Sequence, residues 1–131
     1  MTFLVDVNVL VACGWSSHVE HRRTSRWLSR TRDFATCSVT QMGFMRVSLS
    51  PAYRASFQDA LLALGDIVAL RGHRFVGDAT AAVDLPVVHG TKEVTDAHLV
   101  QLARAHGLEL ATLDEALCGK PWARGTAVLV R

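Results

Sequence analysis

Short apolar runs of strand character alternate with segments of helical periodicity along this 131-residue chain. Residues 2–5, Phe34-Ala35-Thr36-Cys37, Leu108 to Thr112 and Ala127-Val128-Leu129-Val130 read as strands, the first of them buried. A strand–helix alternation argues for a parallel sheet, because each helix returns the chain to the same sheet edge. We therefore expect an α/β fold: a central, mostly parallel sheet flanked by helices on both faces, one domain over residues 1–131.

The helical segments are uneven in clarity. Residues 7–13 read as an apolar helix stopped around Gly14. His18 to Arg30 reads as amphipathic, with Val19 and Trp27-Leu28 as its apolar contacts. Ser38 resembles an N-cap for a helix through Val47, with Val39, Met42 and Met45-Arg46 at helical spacing, before Pro51 breaks the chain. From Ala55 to Leu64, Phe57, Leu61 and Leu64 share one face. Ile67 to Leu70 and Arg74 to Val76 both have strand character, and periodicity does not settle whether one or both are strands. Asp78 to Val83 reads as a short helix and residues 84–93 as a loop. The clearest helix starts at Thr95 as N-cap and runs to His106, where Gly107 is a natural stop. Residues 114–118 read as a short helix or turn.

In this order of elements, Asp6 follows the first strand, Asp114 follows Leu108 to Thr112, and Asp96 lies in the first turn expected after Thr95. Strand carboxyl ends and helix N-termini share one edge of a parallel sheet, so carboxylates far apart in sequence can converge there. Each Asp alone also reads as a helix cap or turn residue; three on one edge read as a site. A nest of oxygen ligands suits Mg²⁺, or Mn²⁺ in its place. Asn8 and Thr112 are candidates to orient a carboxylate or a water.

Other chemistries find little support. The six histidines show no HExxH-like spacing, and GxSxG, GxGxxG and Walker sequences are absent. Cys13, Cys37 and Cys118 are odd in number and far apart, which suggests neither a disulfide framework nor a CxxC metal site and makes a reducing cytoplasm the simplest setting. The N-terminus lacks a basic n-region, and no apolar run approaches the ~18 residues of a membrane span. A net charge of +2 is too weak to diagnose nucleic-acid binding. Arg22, Arg23, Arg26 and Arg30 cluster along one expected helix, which reads either as a solvated face or as a track for an RNA backbone. Trp15 and Trp27 read as packing residues, with base stacking as the alternative.

Taken in order, four segments resemble the motifs of PIN-domain nucleases, and among these the VapC toxins of bacterial type II toxin–antitoxin pairs. They are Phe3 to Leu10, Ala35 to Val47, Val94 to Ala103 and Leu110 to Asp114. The resemblance implies a PIN fold and a Mg²⁺-dependent endoribonuclease (Mn²⁺ substituting) that cuts RNA by hydroxide attack rather than through the neighbouring 2′-OH. It also implies a cognate VapB-like antitoxin and a homodimer. Asp6, Asp96 and Asp114 match the family's acidic positions, as metal ligands and catalytic groups. Gln41 stands where many PIN domains carry Glu, which leaves about three carboxylates rather than four; Glu93 and Glu115 are the residues able to compensate. Gln41 and Arg46 are the further candidates to orient or bind substrate, Arg46 through a phosphate. One rival is a PIN-fold module that binds RNA or protein with impaired catalysis. A second is a phosphoacceptor receiver domain, which needs a Lys near a late strand end; Lys92 and Lys120, the only lysines, read as loop residues.

Overall fold

In the computed structural model, which describes residues 1–131, the alternation becomes five strands and six helices. The strands are β1 (Phe3–Val5), β2 (Phe34–Thr36), β3 (His73–Phe75), β4 (Glu109–Thr112) and β5 (Ala127–Leu129). The helices are α1 (Val7–Gly14), α2 (His21–Thr31), α3 (Ser38–Leu49), α4 (Phe57–Val68), α5 (Thr91–Ala105) and α6 (Glu115–Cys118). All neighbouring strands pair in parallel, in the order β3-β2-β1-β4-β5. The chain winds outward from β1 to β3, then crosses back to place β4 on the other side of β1. That reversal makes the β1–β4 boundary the switch point, where the loops beyond the strand ends diverge and leave a crevice.

Successive strand residues point to opposite faces and feed two cores. Leu4, Ala35 and Leu110 join Leu99, Val100 and Leu102 of α5 and Leu117 of α6 on one face. Val5, Phe34 and Ala111 join Val9 and Leu10 of α1, Phe44 of α3, and Leu64 and Ile67 of α4 on the other. β1 is loaded on both sides, which suits its central place. No helix is long and apolar enough to cross a membrane.

Several boundaries differ from the sequence reading, each for a local reason. α5 begins at Thr91, with Gly90 as its cap residue, one turn earlier than Thr95 implies. Glu93 accepts the His89 N–H at 2.8 Å and so fastens the chain entering the helix. Lys92 therefore lies in a helix, while Lys120 lies in the turn after α6. Residues 67–68 end α4, so of the two strand-like runs only the later one pairs. Asp78 to Val83 forms no α-helix; a short 3₁₀ turn covers Ala82–Asp84. The buried stripe of α4 is Ala60, Leu64 and Ile67, leaving Phe57 and Leu61 exposed. Val19 stands free of the core as well, ahead of the first turn of α2. In α3 the cap is Cys37, whose N–H donates to Thr40 Oγ1 at 3.0 Å. That helix buries Thr40, Gly43, Phe44 and Ser48, with Met42 outward. Small residues face α1 because the two helices run close together.

Gly43 sets that approach. A Cβ there would stand 2.5 Å from Cγ2 of Val7, a β-branched side chain with little rotamer freedom. Gly43→Ala should destabilise the protein by about 1–3 kcal/mol, read from denaturant midpoints at unchanged slope. Adding Val7→Ala should recover part of that stability; independent, additive effects would show that the close approach is not the cause.

Candidate functional site

The β1–β4 register builds the centre of the site. Val5 pairs with Ala111, and the Asp6 N–H donates to the Ala111 carbonyl at 2.9 Å. Asp6 therefore leaves the sheet beside Thr112. The Thr112 hydroxyl donates to Asp6 Oδ2 at 2.7 Å and accepts from Asn8 Nδ2 at 3.2 Å and the Asp114 N–H at 3.1 Å. Asn8 closes the loop by accepting the Leu113 N–H at 3.1 Å through Oδ1. One buried hydroxyl thus ties the end of β1, the start of α1 and the turn after β4.

The acids are also caps. Asp6 caps α1, accepting the Val7 N–H at 2.7 Å through Oδ1. Asp114 caps α6, accepting the Leu117 N–H at 3.2 Å. Cap and site are here the same residues, since a capping carboxylate at a strand end faces the crevice with its remaining lone pairs. Asp96 is different: it lies in the second turn of α5, not the first, so the helix terminus gives it little support.

Asp6, Asp96 and Asp114 line one cavity of about 410 Å³, together with Asn8, Lys92 and Tyr53. Burial pushes the Asp6 carboxyl up, opposed by its bonds from Thr112 and Val7, while Asp114 adds repulsion. Asp96 is pushed up to about 6, first by burial and then by the charges of Asp6 and Asp114. Lys92 works against both shifts and sits 3.5 Å from Asp114 Oδ2. A cavity of similar size, about 400 Å³, lies between α2 and α4 but carries no carboxylate.

No group of three or more His, Cys, Asp or Glu side chains stands ready as a coordination shell. The donor set nevertheless fits a hard divalent cation: three carboxylates line one cavity that holds no Cys, and the one histidine on it, His18, accepts the Glu20 N–H at 2.9 Å through Nδ1. The mutual repulsion felt at Asp96 is what such a cation relieves.

Other expected residues fall outside. Gln41 does not line this cavity; its amide donates to Thr36 Oγ1 at 2.9 Å, and Thr36 in turn bonds His73 at 2.7 Å. Arg46 is exposed on α3 and does not line it either. Glu93 is paired with Lys120 at 2.7 Å, and Glu115 is exposed. Trp15 donates to Ser48 Oγ at 2.9 Å and stacks on Phe44, and Trp27 packs edge-on against Phe3, so both are packing residues. The arginines of α2 are exposed and away from the acids; Arg23 pairs with Glu20 and Arg30 with the Arg131 carbonyl. Sequence reasoning missed Lys92, Thr95, Tyr53 and His18 as lining residues. Lys92 had a signal: it precedes Asp96 by four residues, hence shares its helical face once the helix starts early enough. Tyr53 and His18 had none.

A carboxyl raised above its unfolded value binds its proton more tightly in the folded chain, so its ionisation costs stability. For Asp96 the cost is absent at low pH, grows from near its ordinary value of 3.8 and is complete above about 6. Asp96→Asn should therefore raise the melting temperature of metal-free protein near about pH 7.5, with the gain vanishing below about pH 4. A gain independent of pH would show that the Asp96 charge is not its source.

Comparison with known proteins agrees with this architecture. A family model for the PIN domain matches residues 3–122. Ribonuclease VapC38 of Mycobacterium tuberculosis is 43% identical over 118 residues, covering 85% of this chain and 84% of that protein. Ribonuclease VapC29 of the same organism is 40% identical over 121 residues, covering 89% of each. The fold also superposes on a chain of the crystal structure of VapBC2 from Rickettsia felis bound to a DNA fragment from their promoter, with a TM-score of 0.67, 12% identity and 100% of both chains covered. With its sheet order, its switch-point acids and these relatives, the chain belongs to the PIN domain family.

Proposed function

We propose that this protein is a VapC-type endoribonuclease toxin that hydrolyses phosphodiester bonds in RNA with a divalent cation, Mg²⁺ or Mn²⁺, and is neutralised by a cognate antitoxin. The observation that carries the reading is the convergence of Asp6, Asp96 and Asp114, from three separate elements, on one cavity at the sheet's switch point. The names of the relatives support ribonuclease activity, and the VapBC2 structure supports a toxin–antitoxin setting. The family resemblance adds a homodimer to this reading.

Asp6, Asp96 and Asp114 are the residues that would hold the cation, which supplies positive charge against the charge that develops on the phosphodiester. The protein's own part is positioning and proton handling. Thr112 and the Val7 N–H fix both oxygens of Asp6, so its free lone pairs keep one direction. Asn8 holds Thr112 and the Leu113 turn, which keeps Asp114 in reach. Asp96, which burial and the charges of Asp6 and Asp114 push up to about 6, is the group to accept the proton of an attacking water. The impaired-module alternative rests on Gln41 as a sign of decay. Gln41 lies off the cavity, and the three carboxylates do not depend on it.

Purified protein should cleave RNA with Mg²⁺ or Mn²⁺, stop with EDTA, and leave ends without 2′,3′-cyclic phosphate. Asp6→Asn should fall to the chelated background while its circular dichroism is unchanged. Wild-type levels of cleavage in that variant, or in EDTA, would remove the acidic site from the reaction.

A further inference from the structure

Of the 14 Lys and Arg residues, the two lysines are the ones gathered at the acids. Lys92, in the first turn of α5, reaches Asp114 at 3.5 Å with its side chain 82% exposed. Lys120, beyond α6, pairs with Glu93 Oε1 at 2.7 Å. Both line a second cavity of about 180 Å³, shared with Glu93, Asp96, Asp114 and Trp122. Lys92, Asp96 and Asp114 also line the acid cavity; the two aspartates form the wall between the two spaces and Lys92 reaches both. Trp122 packs against the core beneath α5 and α6 and remains partly exposed.

This arrangement answers an electrostatic difficulty. A polyanion brought to three carboxylates is repelled by each of them, even through water. No arginine lines either cavity. The cations available beside the acids are the lysines, whose flexible stems and rotatable donors suit transfer from a carboxylate to a phosphate. Glu93 is itself anchored by the His89 N–H at 2.8 Å, so it holds Lys120 in place while leaving other ammonium donors free. The aromatic face next to them can take a base irrespective of its identity.

We propose that Lys92, Lys120 and Trp122 form a strand-gripping subsite for single-stranded RNA, in which the lysines hold phosphates flanking the scissile one and Trp122 stacks an adjacent base. The subsite rests on the nuclease reading above. In it Lys92 leaves Asp114 for a phosphate when RNA enters, and the strand passes over the Asp96–Asp114 wall from one cavity to the other.

The test uses a fluorescein-labelled single-stranded RNA that the wild type cleaves, bound to full-length Asp6→Asn protein so that it stays uncut, with anisotropy read across a range of salt. Adding Lys92→Met and Lys120→Met should weaken binding about tenfold and lower the slope of log affinity against log salt by about 1.4, roughly 0.7 for each phosphate no longer neutralised. Lys92→Arg with Lys120→Arg should restore most of the slope. Trp122→Leu should weaken binding about tenfold without changing the slope. An equal-charge control, Arg22→Met with Arg26→Met on α2, should leave affinity within about twofold. An unchanged slope in the lysine double variant, or equal weakening in both double variants, overturns the subsite while wild-type cleavage keeps the nuclease reading intact. If the wild type cuts no RNA, the nuclease reading falls and the subsite with it.

Discussion

A single hydroxyl sits where the two halves of the sheet meet. Thr112 Oγ1 joins Asp6, Asn8 and the Asp114 backbone, and it can do so only because β1 and β4 pair in the register Val5 to Ala111. A slip of one residue would turn Asp6 to the opposite face and move Val5 from one core to the other. The site is thus a consequence of strand pairing. The two cores, filled from alternate residues of β1 and β4, hold that pairing in place. The same bonds stabilise ionised Asp6, offsetting part of what its burial costs.

The second constraint is charge. Asp6 has protein donors on both oxygens, Asp114 has a helix N-terminus and a lysine, and Asp96 has neither a cap role nor an ion pair. Burial and then the repulsion of gathering acids raise both Asp6 and Asp96. Lys92 moderates the potential at all three aspartates, but a mobile ammonium at 3.5 Å from one of them is a partial remedy. A divalent ion held by the three aspartates would bring twice the charge of the ammonium and would leave the lysine for other anions.

Much of this was legible in the sequence, and the gaps have physical causes. Asp6 and Asp114 were readable because an apolar strand run ends directly before each, so position along the chain fixes the sheet edge. Asp96 was placed on the right edge with the wrong helical turn. Thr95 has the chemistry of a cap, but Gly90 and Glu93 start the helix earlier, and propensity alone does not choose between two polar starts. That error hid Lys92. The outward turn of Phe57 and Leu61 was equally invisible, since α4 offers apolar residues on more than one face and only packing against α1 and α3 selects Ala60, Leu64 and Ile67. Gln41 came from a motif position, and its side chain bonds Thr36, a neighbour that the motif does not encode; Arg46, read from its nearness to Gln41, is exposed and off the cavity.

The central claim is that three dispersed aspartates share one cation. Crystals grown with Mn²⁺ and measured at its absorption edge test it without reference to activity. The account predicts an anomalous peak in the cavity at roughly 2.1 Å from oxygens of at least two of Asp6, Asp96 and Asp114, and no such peak in Asp6→Asn crystals. A full-occupancy peak elsewhere, or none in the cavity at saturating Mn²⁺, would contradict it.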